Sequence, residues 1–155
     1  MSATSVPEPG EGRRGADGHV AYLLRQAAHA VRGRIEAALA DLDLTGPQFA
    51  VLTMVAAYPG CSGADLARLT LLTPQTVSFI VGRMIEAGLL TRADVPDHGR
   101  ARPLAPTGDG VRRLAEARAR VAVVEAAMTA SLDATEAAIV RRWLANLATS
   151  DAATP

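Results

Sequence analysis

Side chains able to make or break bonds are few and scattered in this sequence. Its one cysteine, Cys61, cannot close an intramolecular disulfide and has no identifiable histidine partner, so no activated nucleophile emerges. His19 and His29 lie ten residues apart, not at the i, i+4 spacing of a metal pair, and His98 stands alone before Gly99. No glycine-rich phosphate loop is present, and neither catalysis nor a cofactor or metal is expected. Groups that hydrogen-bond or carry positive charge are concentrated instead. Thr73, Gln75, Thr76, Ser78 and Arg83 follow one another closely, flanked by Arg68, Arg92, His98, Arg100 and Arg102. Amides, hydroxyls and guanidinium groups of this kind grip polar edges and anions without transforming them.

The 155 residues, 49% of them apolar, suffice for one compact core and its tails. Ala, Leu and Val dominate, aromatic residues are only 3%, and Gly and Pro cluster between Ala-rich stretches, which is the composition of a mainly helical protein. No apolar run approaches the roughly 20 residues that span a bilayer, and the polar start of the chain does not resemble a signal peptide, so a cytoplasmic protein without a membrane partner is expected. Net charge is zero, yet residues 62–113 hold seven Arg against five acids while both flanking segments are slightly acidic. The positive excess therefore falls where the gripping groups lie.

Helical periodicity and capping signals say what positions those groups. Residues 19–42 repeat apolar side chains at Val20, Leu23, Leu24, Ala27, Val31, Ile35 and Leu39, predicting a long first helix. Thr45 with Gln48 three residues on, and Pro47 between, predicts the start of a second helix. After Tyr58-Pro59-Gly60, a short third helix begins at Ser62-Gly63-Ala64-Asp65, with Asp65 suited to the cap and to the positive dipole end. Thr73-Pro74 starts a fourth that Gly88 stops. Two short helices joined by a tight turn make a helix-turn-helix. The fourth helix should bury Val77, Ile80, Val81, Met84 and Ile85, and expose Gln75, Thr76, Ser78, Phe79 and Arg83, where Gln75 could pair an adenine edge. Residues 89–92 and 102–105 flank a charged, turn-rich insertion, predicting a hairpin whose second strand is a weak edge, with Pro103 unable to donate and Pro106 just past its end. Thr107 caps a long fifth helix weakened by Gly108 and Gly110, and Asp133 with Glu136 opens a sixth.

This order of elements, over about Val20 to Leu147, resembles the MarR family of bacterial transcription regulators. The resemblance is carried by Asp43-Leu44-Thr45-Gly46-Pro47-Gln48-Phe49-Ala50-Val51-Leu52, Pro59-Gly60-Cys61-Ser62-Gly63-Ala64-Asp65-Leu66-Ala67, Met84-Ile85-Glu86-Ala87-Gly88-Leu89-Leu90 and His98-Gly99-Arg100. Two positions depart from the pattern: Phe79, where relatives are often basic or polar, and Pro106, where a Leu is usual.

The resemblance implies a mainly α fold with a small β-hairpin wing. It divides the chain into a dimerisation helix (19–43), a winged helix-turn-helix DNA-binding domain (44–107) and C-terminal dimerisation helices (108–149), between a flexible tail (1–18) expected from its Pro, Gly and charge without apolar periodicity and a second tail (150–155). It also implies a homodimer on a roughly palindromic operator in double-stranded DNA, Arg100 in a minor groove, and release by a small aromatic or phenolic effector held between the dimer helices and the winged domain. Dimerisation has independent support in the sequence. Val20, Leu23, Leu24, Val124, Met128, Ile139, Trp143, Leu144 and Leu147 offer more apolar face than one small domain can cover. Arg68, Arg83, Arg92 and Arg102 suit phosphate contact, with Thr73 at the helix start and His98 in the wing beside them. Two alternatives accompany this reading: a winged helix that grips protein, favoured by neutral charge and Phe79, and a redox sensor built on Cys61, whose place before a helix cap favours inward packing.

Overall fold

The computed structural model describes residues 6–92 and 103–149. Six helices and one two-stranded sheet make up the fold: α1 (Val20–Leu39), α2 (Gly46–Ala57), α3 (Gly63–Thr70), α4 (Pro74–Glu86), β1 (Leu90–Arg92), β2 (Leu104–Pro106), α5 (Gly108–Thr129) and α6 (Ala134–Thr149). This is the mainly helical, winged arrangement that the sequence predicts.

Local chemistry sets the helix boundaries. The Thr45 hydroxyl accepts the Gln48 N–H at 3.3 Å while the Gln48 amide oxygen accepts the Thr45 N–H at 2.9 Å, closing a capping box at α2. The same device opens α3, where Ser62 is the cap and Asp65 the returning acid, so Asp65 occupies the third helical position and not the cap. At α6 the Asp133 and Glu136 pair repeats it at 2.8 and 2.9 Å. The first helix stops at Leu39, three residues earlier than its periodicity suggests. Residues Ala40–Leu42 tighten into a 3-10 turn, and Asp43 then takes the left-handed conformation.

Eighteen apolar residues form one buried cluster, with Leu39, Leu52, Leu66, Met84 and Leu90 sealed from solvent. Apolar on nearly every face, α2 packs against α1, α3, α4, α5 and β2 and so forms the centre of the winged domain. The sheet is antiparallel, with Leu90 opposite Pro106, Thr91 opposite Ala105 and Arg92 opposite Leu104. Pro106 thus lies inside the second strand, not beyond it. Bonded and non-bonded pairs alternate along an antiparallel ladder. The Thr107 N–H donates to the Leu89 carbonyl at 3.1 Å, so the adjacent Leu90–Pro106 pair is a non-bonded one where a missing N–H costs nothing.

On α5 the buried positions are Gly110, Leu114, Ala117 and Val121, whereas Val111 faces solvent. Gly110 is required by close approach. A Cβ there would stand 2.1 Å from the Leu89 carbonyl oxygen, so the glycine that weakens the first turn also lets α5 seat against the base of the wing.

The stretch 1–18, expected to lack structure, carries a 3-10 turn at Gly12–Arg14. It is tied to α1 because Arg14 Nε donates to Gln26 Oε1 at 3.3 Å and Gln26 Nε2 donates back to the Arg14 carbonyl at 3.0 Å. The anchor is two side chains twelve residues apart, a pairing that the low apolar content of this stretch does not reveal.

Candidate nucleic-acid interface

The helix-turn-helix is α3, a reversal at Leu71 and Leu72, and α4. Leu71 adopts the left-handed conformation (φ 57°) that glycine usually fills, and the Leu72 N–H returns to the Ala67 carbonyl at 3.1 Å, ending α3. Thr73 then caps α4 by accepting the Thr76 N–H at 3.2 Å, with Pro74 in the first turn where its missing donor is harmless. The two hydroxyls, Thr73 Oγ1 and Thr76 Oγ1, also bond each other at 2.8 Å, so both side chains serve the cap.

Val77, Ile80, Val81 and Met84 are buried, and Gln75, Ser78, Phe79, Gly82 and Arg83 are exposed on the opposite side. Phe79 is 70% exposed, the one large apolar group on that face. Arg83 Nη1 holds Glu86 Oε2 at 3.2 Å with both side chains in solvent, a pair of little energetic weight that can open to another anion. Arg68 on α3 is likewise exposed and paired with Asp65. Arg92 lies exposed at the end of β1. Apart from Thr76, half-buried with its hydroxyl in the cap, the predicted groups on α3, α4 and β1 are accessible within one helix-turn-helix and the foot of its wing; Ile85, expected in the buried stripe, is only half-buried. His98, Arg100 and Arg102 lie outside the described residues.

The Ser62 hydroxyl and N–H, together with Arg68, hold the Asp65 carboxyl down to about 2. Cys61 is half-buried against the core, and burial first, then the Asp65 charge, push its thiol up. A sensing cysteine needs the opposite, an exposed sulfur drawn toward the thiolate, so the redox reading loses its physical basis.

The second region of note joins α1 to α2. A cavity of about 770 Å³ is lined by apolar Val31, Ile35, Phe49 and Met54, with Arg32, Glu36 and Thr53 on its wall. Thr53 Oγ1 is buried without a hydrogen-bond partner among the described residues. The packing of α1 across α2 leaves this hollow between Val31 and Ile35 on one side and Phe49 and Met54 on the other. At the near end of α1, two α5 arginines fasten the helices together: Arg113 donates to the Leu42 carbonyl and Arg120 to Asp41.

The third is an uncovered apolar surface. Val20 (58% exposed) on α1, Met128 on α5, and Ile139, Trp143, Leu144 and Leu147 on α6 stand in solvent, and Leu23 and Leu24 on α1 and Val124 on α5 are half-buried. Helix α6 buries none of its residues within the chain. No helix among the described residues is long and apolar enough to cross a membrane.

Comparison with known proteins gives a consistent picture. A model of the MarR family matches residues 42–101. The HTH-type transcriptional repressor Rv2887 of Mycobacterium tuberculosis is 33% identical over 131 residues, covering 84% of this chain and 94% of the repressor. Its crystal structure with salicylic acid superposes with a TM-score of 0.71 at 32% identity, over 85% of this chain and 98% of that one. Its complex with DNA gives 0.67 at 30% identity, over 84% and 98%.

Proposed function

The chain belongs to the MarR family, and from that membership we propose that it is a homodimeric, sequence-specific DNA-binding repressor released by a small aromatic acid. The observation that carries this reading is the face of α4: hydrogen-bonding and cationic side chains exposed opposite a fully buried stripe, on a helix whose start is capped and faces out. A helix fits the major groove of B-DNA, where Gln75 and Ser78 reach base edges, while Arg68, Arg83 and Arg92 neutralise phosphates with the α4 N-terminal dipole. Arg100 and Arg102, with His98, extend the contact through the wing, Arg100 into the minor groove.

The uncovered faces of α1, the far half of α5 and α6 support a dimer, and a two-fold axis makes the site a rough palindrome. The α1–α2 cavity is the effector site. Apolar walls accept a ring, Arg32 meets a carboxylate, and the orphan Thr53 hydroxyl offers a further polar contact once the side chains around it adjust. A ligand there shifts the protein between DNA-competent and incompetent arrangements to the extent that it prefers one of them. Such a regulator works beside the chromosome in the cytoplasm and performs no catalysis.

The test is selection of bound duplexes from a random library with effector excluded. A recovered palindrome is the expected result. A folded dimer that enriches nothing would favour the rival reading, a winged helix that grips protein through Phe79.

A further inference from the structure

A polar surface helix rarely carries a bare aromatic ring in the middle of the face it shows to solvent, because that ring loses the stabilisation of burial. Helix α4 does. At 3.6 residues per turn, Gln75, Phe79, Gly82 and Glu86 fall within a strip about 60° wide, centred opposite the buried side chains. Gly82, nearly a turn beyond Phe79, puts no side chain over the ring, and a Cβ there would meet nothing within 4 Å. Gln75, one turn before, is an exposed amide, and Ser78 and Arg83 flank the strip.

These neighbours decide what covers Phe79. A protein partner would call for a contiguous apolar patch of a few hundred Å², and this face offers one ring among polar groups. In a major groove the apolar feature of the base edges is the thymine C5-methyl, which aromatic and aliphatic side chains contact directly. Given DNA recognition through α4, on which this rests, we propose that Phe79 is a specificity-determining residue that reads a thymine methyl in each half-site. Four residues of helix rise about 6 Å and one base-pair step about 3.4 Å, so that thymine stands one or two steps from the base that Gln75 contacts.

The experiment uses the full chain and the duplex recovered by selection, with each thymine replaced in turn by deoxyuridine, which removes only the methyl. Binding is followed by fluorescence anisotropy for the wild type and for Phe79→Ala, which is checked for helix content and dimer mass. One symmetric pair of positions is expected to weaken wild-type binding by about fourfold per methyl, and about 15-fold when both are removed. Phe79→Ala should be indifferent to the same replacement, and Phe79→Leu should keep most of the sensitivity. Equal sensitivity in wild type and Phe79→Ala, or no thymine whose methyl matters, overturns the role of Phe79 and leaves DNA recognition standing. No selected sequence from a folded dimer overturns both.

Discussion

The Thr107 hydroxyl donates to the Gly88 carbonyl at 2.6 Å while accepting the Gly110 N–H at 3.0 Å. One oxygen therefore joins the turn that ends α4 to the cap that starts α5, coupling α4 to the helix that continues into the uncovered surface. Thr107→Val keeps the shape and removes both bonds. It is expected to lower stability by about 0.5–2 kcal/mol, the usual range for loss of a helix cap, read from urea unfolding.

Gly110→Ala tests the seating of α5. By intrinsic propensity alone the change would favour the helix by roughly 1 kcal/mol. The new Cβ, however, stands 2.1 Å from a backbone oxygen of Leu89 that no rotamer change can move. A marked fall in melting temperature is expected, with Gly108→Ala, where a Cβ meets nothing within 4 Å, as the neutral or mildly stabilising control.

Much of this architecture is legible in the sequence because its signals are local. The caps at Thr45, Thr73, Thr107 and Asp133 each act within three or four residues, and the buried stripe of α4 is a simple 3.6-residue period. Contacts between distant residues are not legible in this way. Arg120 reaches Asp41 across 79 positions and Arg113 reaches Leu42 across 71, and no composition or period encodes either. The same holds for Gly110, which sequence rules score as a weak helix residue and packing makes necessary.

Acid should loosen the start of α3. The folded Asp65 carboxyl titrates at about 2 against the usual 3.8, so its contribution to stability is fully present above about pH 4 and is lost as pH falls through its folded value. Urea midpoints measured at pH 5, 3 and 2 should therefore fall less steeply for Asp65→Asn than for the wild type. Identical slopes would mean that the Ser62–Asp65 box contributes nothing that titrates.

The uncovered apolar faces predict association. Sedimentation equilibrium should return twice the chain mass for the wild type, and Leu144→Asp, placing a charge among Trp143, Val140 and Leu147, should shift the protein toward monomer while the winged domain keeps its helical signal. A wild-type monomer at micromolar concentration would contradict the dimer.

The central claim, that two winged domains of one dimer clasp a palindromic duplex through an arginine-rich surface, is tested most directly by a salt titration of affinity for the selected site. If Arg68, Arg83, Arg92 and Arg102 of both protomers each neutralise one phosphate, eight counterions are released, and affinity should fall by about 10⁴-fold between 50 and 200 mM salt with a logarithmic slope of about −7. A scrambled duplex should bind far more weakly at every salt concentration. Affinity that is flat with salt, or equal for the selected and scrambled sequences, would contradict the claim.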